Sequence, residues 1–215
     1  MRRFAFLLIL VAAVLAPVDA RSAQTASMAL LRHATDANPG LHSYTASAVL
    51  SATLHALLPV HKTFNGTVYY LKPKRKIEFQ DVSGPLSRFK DLASSVPSLG
   101  ELTNEYTVTP LGDTGTLSSY SLVPKKAGSR VKKVDATVND TTGLIQHVQW
   151  SYTNGGALNL DQIYTKIGTF QLPATANISA RFPGYSVNGT LTFSGYQLNA
   201  AVSPSVFASP SAAPQ

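Results

Sequence analysis

The stretch that decides the fold is His42–Leu58, HSYTASAVLSATLHALL. Apolar and polar side chains alternate at every second residue along it, which is typical of a β-strand with one buried face. At about 3.3 Å per residue, it predicts a strand of roughly 50 Å. The apolar set consists of the even-numbered residues Tyr44, Ala46, Ala48, Leu50, Ala52, Leu54, Ala56 and Leu58.

Half of this apolar set is alanine, which is small and has poor strand propensity. A barrel interior filled by its own side chains needs larger residues such as Val, Ile and Leu. The alanines therefore indicate room on this face, either for a helix packed closely on the strand or for a ligand. The sequence leaves both interpretations open, and the two are compatible.

The rest of the chain continues mainly in strands. Alternating or β-rich segments predict them at 64–71, 74–81, 106–111, 118–123, 131–138, 145–152, 157–164, 178–182 and 187–197. Strands do not alternate with helices, which argues against a parallel α/β sheet. The predicted fold class is mainly β (α+β), with one curved antiparallel sheet of about 9 to 11 strands, because a sheet this wide must curl or close.

Two helices accompany the predicted sheet. One precedes the long strand at 24–37. The other follows the third strand, where Leu86, Phe89 and Leu92 fall at helical spacing. We expect a partly open barrel with helices covering or plugging its concave face, and these three residues as the apolar face of a lid.

The first twenty residues are predicted to be a signal peptide. Arg2 and Arg3 precede an unbroken apolar stretch at 4–15, and small residues follow at 18–20. That stretch is too short to span a hydrocarbon core of about 30 Å. Cys is absent, which excludes a lipoprotein-type acyl anchor as well as disulfides and thiol chemistry. We expect residues 1–20 to be removed and the mature protein to be periplasmic or secreted, without a transmembrane helix.

The composition is that of one folded, β-rich domain. The chain has 215 residues, of which 44% are hydrophobic and 13% are charged. The charged share is about half that of an average soluble protein, and the apolar content argues against global disorder. We predict a single domain over 21–199, followed by an Ala-, Ser- and Pro-rich tail over 200–215 that we expect to be disordered.

The formal net charge is +7, and two clusters carry much of it. In an exported protein, such clusters favour an anionic membrane surface or envelope polymer as partner over nucleic acid. The alternative is that they are ordinary solvated strand ends and hairpin tips. The two clusters are Lys72, Lys74, Arg75 and Lys76, and then Lys125, Lys126, Arg130, Lys132 and Lys133.

Motifs for catalysis or cofactor binding are not found. The sequence has no G-x-S-x-G elbow, no P-loop and no dinucleotide fingerprint. Its five His have no i, i+4 pair, and its acidic residues fall mostly at turns or polar strand positions. We therefore expect no metal, no cofactor and no enzymatic activity, although two carboxylates can still converge in three dimensions.

Three segments resemble one family. They are Gly66–Lys74 (GTVYYLKPK), Ile77–Phe79 (IEF) and Gly168–Pro173 (GTFQLP), in a chain that begins with a helix and a long amphipathic strand. Together they resemble the LolA-like outer-membrane lipoprotein localisation family over most of residues 24–197. The resemblance implies a half-open antiparallel barrel with helices as a lid over an apolar cavity. Members carry or sense acyl chains of lipoproteins or free lipids in the bacterial periplasm.

The resemblance and the alternating pattern together predict an apolar ligand-binding cavity and no catalytic residue. The expected function is an exported soluble binder or carrier of lipid or lipidated protein. The alternatives are an exported hydrolase on a β-scaffold and a structural envelope protein acting on anionic polymer. The predicted cavity residues are Tyr44, Ala46, Ala48, Leu50, Ala52, Leu54, Val68, Tyr70, Ile77, Phe79, Val148, Trp150, Tyr152, Leu158 and Leu160.

Overall fold

Ten strands form a single sheet in the part of the chain that the structure describes. The structure is a computed structural model, and it describes residues 25, 28–29, 32, 37–72, 74–80 and 104–208. The number of strands lies within the predicted range of about 9 to 11. The strands are β1 (Ser43–His55), β2 (Pro59–Leu71), β3 (Lys74–Phe79), β4 (Tyr106–Thr114), β5 (Leu117–Pro124), β6 (Val131–Asn139), β7 (Leu144–Tyr152), β8 (Ala157–Ile167), β9 (Phe170–Phe182) and β10 (Tyr185–Leu198).

The sheet is antiparallel throughout and is not closed. Its order is β3-β2-β1-β10-β9-β8-β7-β6-β5-β4, so β1 lies inside the sheet between β2 and β10. β3 and β4 are the two outer strands. The predicted antiparallel, partly open architecture is therefore confirmed. The predicted lid residues Leu86, Phe89 and Leu92 lie outside the described residues.

The hairpin turns alternate between the two ends of the sheet, because consecutive strands are antiparallel. We call one end the leucine end, after Leu57 and Leu58 in the β1–β2 turn. The turns at the leucine end are 56–58, 125–130, 153–156 and 183–184. The β2–β3, β4–β5, β6–β7 and β8–β9 turns lie at the opposite end.

β2 and β9 begin well before their predicted starts at 64 and 178, and each includes a proline in the added part. β2 begins at Pro59, and proline is tolerated at the first residue of a strand. β9 begins at Phe170 and includes Pro173. Its pairing with β8 shifts register between Ile163 and Tyr164, next to Pro173, and a bulge is a place where a strand accommodates proline.

The alternation in β1 sets which face is buried. The described even-numbered positions are buried up to Ala52, Leu54 is half-buried, and Ala56 is exposed because the strand has ended. The buried side chains of the sheet form two clusters. One lies around β1–β3 and β8–β10, the other around β4–β7, and Trp150 packs against both. The concave face therefore has a continuous apolar surface.

Gly66 is required by the close approach of β2 and β3. A Cβ at this position would lie 2.6 Å from the backbone oxygen of Glu78 and 2.9 Å from the ring of Phe79. Gly66 also faces Ala48 in the pairing of β1 with β2. Small residues on two neighbouring strands thus leave room for the Phe79 ring in the core.

The chain after β10 differs from the predicted tail as far as residue 208. Pro204–Phe207 forms a short 3₁₀ helix. The hydroxyl of Ser43 donates a hydrogen bond to the carbonyl oxygen of Ala200 at 2.6 Å. Lys76 Nζ donates another, also of 2.6 Å, to the carbonyl oxygen of Val206. These contacts hold 200–208 against the sheet, whereas composition alone predicted disorder.

The remaining predictions concern the two ends of the chain. The signal peptide at 1–20 and the end of the tail at 209–215 lie outside the described residues. Thr25, Met28, Ala29 and Arg32 have helical conformation, within the predicted helix at 24–37. Among the described residues, no helix is long and apolar enough to cross a membrane.

Candidate functional site

An apolar cleft lies on the concave face of the sheet. Residues from β1, β3, β7, β8, β9 and β10 contribute to it, because their inward-facing positions converge where the sheet curves. The cleft is narrow, with a volume of about 60 Å³. Its lining consists of Leu50, Ala52, Ile77, Trp150, Leu158, Leu160, Ala176, Ile178, Val187, Gly189, Leu191 and Phe193, together with the polar residues Arg75 and Gln162.

Two small residues in register make the floor of this cleft. Ala52 on β1 pairs directly with Gly189 on β10. A Cβ added to Gly189 would come within 3.1 Å of the Ser51 carbonyl oxygen and 3.3 Å of Ala52 Cβ. By contrast, the next inward pair along these strands towards the opposite end is Leu50 and Leu191, and both are large. The cleft is therefore deepest where alanine and glycine meet.

A second cavity adjoins the cleft towards the opposite end of the sheet. It measures about 210 Å³ and shares Arg75, Leu160 and Gln162 with the cleft. Tyr44 and Tyr70 are among its other lining residues. The two cavities thus adjoin each other on the concave face, and the second one, further from the leucine end, is lined in part by tyrosines.

The predicted cavity residues fall into three groups in the structure. Leu50, Ala52, Ile77, Trp150, Leu158 and Leu160 line the cleft. Tyr44, Tyr70 and Val148 line the adjoining cavity, together with Leu160. The others are not among the lining residues of either cavity but belong to the core or pack against it: Ala46, Ala48, Leu54, Val68, Phe79 and Tyr152.

Arg75 stands at the centre of a tyrosine cluster. The rings of Tyr44 and Tyr70 stack with centroids 4.9 Å apart. The ring of Tyr196 meets that of Tyr44 edge-on at 5.3 Å. The Arg75 guanidinium hydrogen-bonds with Tyr44. A cation is thereby held against aromatic side chains on an otherwise apolar face.

The buried tyrosines in this cluster keep their protons at neutral pH. Burial raises the pKa of Tyr44, although the positive charge of Arg75 acts in the opposite direction. Burial likewise raises the pKa of Tyr70, Tyr164 and Tyr196, with neighbouring Tyr44 adding to the increase in each. Their hydroxyls are consequently neutral donors, and they do not neutralise the guanidinium.

Several solved structures have the same fold. A DUF1329 family protein from Desulfovibrio piger superposes with a TM-score of 0.55 at 12% identity, covering 87% of this chain and 97% of that one. A putative outer membrane lipoprotein-sorting protein domain from Vibrio parahaemolyticus gives 0.54 at 12% identity, covering 86% and 97%. A LolA superfamily protein from Nitrosomonas europaea gives 0.52 at 12% identity, covering 86% and 98%.

The chain has a LolA-like fold. This confirms the resemblance drawn from the strand pattern and the three sequence segments. No protein-family model and no curated protein sequence matches the chain. At 12% identity the structural likeness establishes the fold of this protein, and its ligand has to be argued from its own residues.

Within the LolA-like sheet, the two basic clusters have different positions. The second cluster lies in and beside the β5–β6 turn at the leucine end, where Lys125, Lys126 and Arg130 are exposed. The first cluster starts at the opposite end and is divided by the strand period of β3. Lys74 is exposed, whereas Arg75 lines the cleft. The two clusters therefore do not form one surface.

A polar cavity borders the adjoining cavity and shares Leu144, Gln162, Tyr164 and Gln171 with it. His147 Nδ1 is 2.6 Å from Asp161 Oδ1, and Thr137 pairs with His147 from the other side on β6. The pair is open to solvent, with both side chains more than a third exposed. His147 is thus on the polar face of β7. No group of three or more metal-binding side chains occurs among the described residues.

Sequence reasoning did not find several residues that line the cleft. Val187, Gly189, Leu191 and Phe193 alternate along β10, and this signal was readable in the sequence although it was not used for the site. Arg75 was assigned to a surface cluster because basic residues surround it. The alternation Arg75, Ile77, Phe79 on β3 is the pattern that places it on the inner face.

Proposed function

We propose that this LolA-like protein is an exported binder or carrier of lipid or lipidated protein, which holds an acyl chain in the apolar cleft. The main support for the proposal is the cleft itself. Its lining is almost entirely apolar, and the pairing of the small residues Ala52 and Gly189 leaves space in it. Each acyl methylene that is buried there would gain about 0.8 kcal/mol before the costs of association.

We also propose that the protein acts in the periplasm and that a lid covers the cleft. The predicted signal peptide supports export, and the structural likeness to a putative outer membrane lipoprotein-sorting protein domain is consistent with the periplasm. A ligand bound by the burial of many methylenes leaves slowly, so a carrier needs a means of release. A lid that opens would provide it, and the helix predicted around Leu86, Phe89 and Leu92 is our candidate for that lid. No catalytic group is needed for such a carrier.

The leucine end is the surface that we propose to contact an anionic membrane. Leu57 is fully exposed and Leu58 largely so. The exposed residues Lys125, Lys126 and Arg130 are in a turn at the same end. An end of the sheet that exposes both apolar and basic side chains suits a bilayer surface that carries anionic headgroups.

The carrier proposal is tested by lipid uptake from vesicles, measured by native mass spectrometry without detergent. We expect the protein to acquire lipid mass and Ala52→Phe to abolish the uptake, because the new ring fills the cleft floor. Val49→Phe is the matched control, since Val49 is an exposed residue on the same strand. Leu160→Phe, at a half-buried lining position, provides a second block if Ala52→Phe unfolds. Absence of lipid uptake by the unmodified protein would contradict the proposal.

The hydrolase alternative has one observation in its favour, the contact of His147 with Asp161 in a polar cavity. In such a pair, the carboxylate orients the imidazole as a general base. Hydrolysis of an ester or envelope polymer that disappears in His147→Gln would support it. Equal background rates in the unmodified protein and in His147→Gln would contradict it.

A further inference from the structure

The inner end of the cleft contains a cation without a matching anion among the described residues. Carboxylates elsewhere on the sheet form ion pairs: Glu78 with Lys76, Asp135 with Lys133, and Asp161 with His147. Within residues 37–72, 74–80 and 104–208, none of these ion pairs includes Arg75. A half-buried guanidinium is stabilised most by an anion that accepts its hydrogen bonds.

The surrounding tyrosines do not supply that anion. The hydroxyl of Tyr164 donates to the carbonyl oxygen of Ile145 at 2.7 Å, and that of Tyr196 donates to the carbonyl oxygen of Pro173. These two hydroxyls are therefore fixed by the backbone as neutral donors. Tyr44 contacts Arg75 directly and is itself almost completely buried. The cluster positions the guanidinium without neutralising it.

The position of Arg75 relates the charge to the apolar cleft. Arg75 lines both cavities, and the amide of Gln162 lines both as well. From these two side chains the cleft extends along apolar residues towards the leucine end, past Ala52 and Val187. A ligand that fits this arrangement has an anionic head at one end and a hydrocarbon chain at the other.

The size of the cavities limits the number of chains. The cleft measures about 60 Å³ and the adjoining cavity about 210 Å³. Sites for drug-sized ligands usually measure about 300–1,000 Å³. Both volumes lie below this range, so they suit a single acyl chain better than two.

We propose that Arg75 is the head-group site for a single-chain anionic lipid, binding its carboxylate or phosphate while Gln162 donates a further hydrogen bond and the chain lies in the apolar cleft. This assignment rests on the proposed lipid-binding function and adds the charge and the number of chains of the ligand. It also gives a direction to the bound lipid, with its chain towards the leucine end.

The test compares oleate with monoolein, which has the same chain and an uncharged head, and adds lysophosphatidic acid as the phosphate form. Binding is measured below the aggregation concentration of each lipid by calorimetry. We expect both anionic lipids to bind roughly 10- to 100-fold more tightly than monoolein, because charge-assisted hydrogen bonds to a guanidinium are strong. Arg75→Gln should bring oleate down to the level of monoolein, and Arg75→Lys should retain part of the preference.

Lys74→Gln is the matched control, because it removes the same charge from the exposed neighbouring position. We expect it to leave the preference for oleate unchanged. A thermal denaturation curve shows whether Arg75→Gln is folded, and Gln162→Leu gives a second, independent loss of preference. Equal binding of oleate and monoolein would overturn the head-group assignment and leave the carrier function standing. If neither lipid binds, the carrier function itself fails.

One further experiment distinguishes a site for a lipid head group from a site for a free anion. Inorganic phosphate is added as a competitor at the concentration of oleate. We expect no displacement, because free phosphate lacks the buried chain. Displacement of oleate by phosphate at that concentration would overturn the lipid assignment in favour of a small-anion site.

Discussion

The two basic clusters look alike in the sequence, but the fold gives them different environments. The cluster that begins at Lys72 lies mostly on a strand, and the period of two sends Arg75 to the inner face and Lys74 to the outer one. The cluster that begins at Lys125 lies largely in a turn, where no such period applies, and its basic side chains remain at one end of the sheet. Consecutive basic residues therefore point to opposite faces when they lie on a strand, whereas they stay at one end of the sheet when they lie in a turn.

The division also changes what each charge contacts. Lys76 forms an ion pair of 2.7 Å with Glu78 and donates to Val206, so it has a structural role. Arg75 faces the cleft and its tyrosines. Lys126 and Arg130 are exposed at the leucine end of the sheet, as are Leu57 and Leu58. Each charge has a different expected effect when it is removed.

The largest difference between the two basic clusters is expected in the affinity for vesicles after charge reversal. Lys125→Glu combined with Lys126→Glu should weaken binding to vesicles containing phosphatidylglycerol by about tenfold or more, because each basic residue near an anionic bilayer contributes about 1 kcal/mol. The matched control is Lys72→Glu with Lys74→Glu at the opposite end, which should have little effect. The measurement is co-sedimentation at two salt concentrations, and equal losses for both pairs would show that the leucine end has no special role.

A smaller effect is expected on stability when Lys76 is changed. Lys76→Met removes the ion pair with Glu78 and the hydrogen bond to Val206. We expect a loss of about 1 kcal/mol or less in the free energy of unfolding, since both partners are partly solvated. Hydrogen exchange at the Val206 and Ala208 amides should become faster, whereas Lys74→Met should leave it unchanged. Unaltered exchange in Lys76→Met would mean that the 3₁₀ helix is held by other contacts.

The smallest effect is expected in the titration of the tyrosine cluster. Because the pKa of Tyr44, Tyr70, Tyr164 and Tyr196 is raised in the fold, their contribution to stability is complete below about pH 10 and is lost as the pH rises through the higher folded values. Arg75 lowers each of these values, so Arg75→Gln should shift tyrosinate absorbance to higher pH. Lys74→Gln should leave the titration curve in place. An unchanged curve in Arg75→Gln would contradict the position of Arg75 in the cluster.

Much of the candidate site follows from local patterns. The alternation in β1 correctly predicted that Leu50 and Ala52 face inward, and that of β8 did the same for Leu158 and Leu160. The same pattern did not separate cleft from core, because Ala46 and Ala48 have the same local signal as Ala52. What distinguishes them is the partner on the next strand. Ala48 faces the ring of Phe193 on β10, whereas Ala52 faces Gly189.

The sequence by itself determined that about 9 to 11 antiparallel strands form and which face of β1 is buried, because these features depend on residues close together in the chain. Only the tertiary structure decided where the cleft opens and what stands at its inner end. Ala52 meets Gly189 because β1 and β10 become neighbours in the sheet. Arg75 meets the tyrosines of β1, β8 and β10 because the sheet curves. Contacts between distant segments depend on the register and curvature of the whole sheet, and no local pattern contains that information.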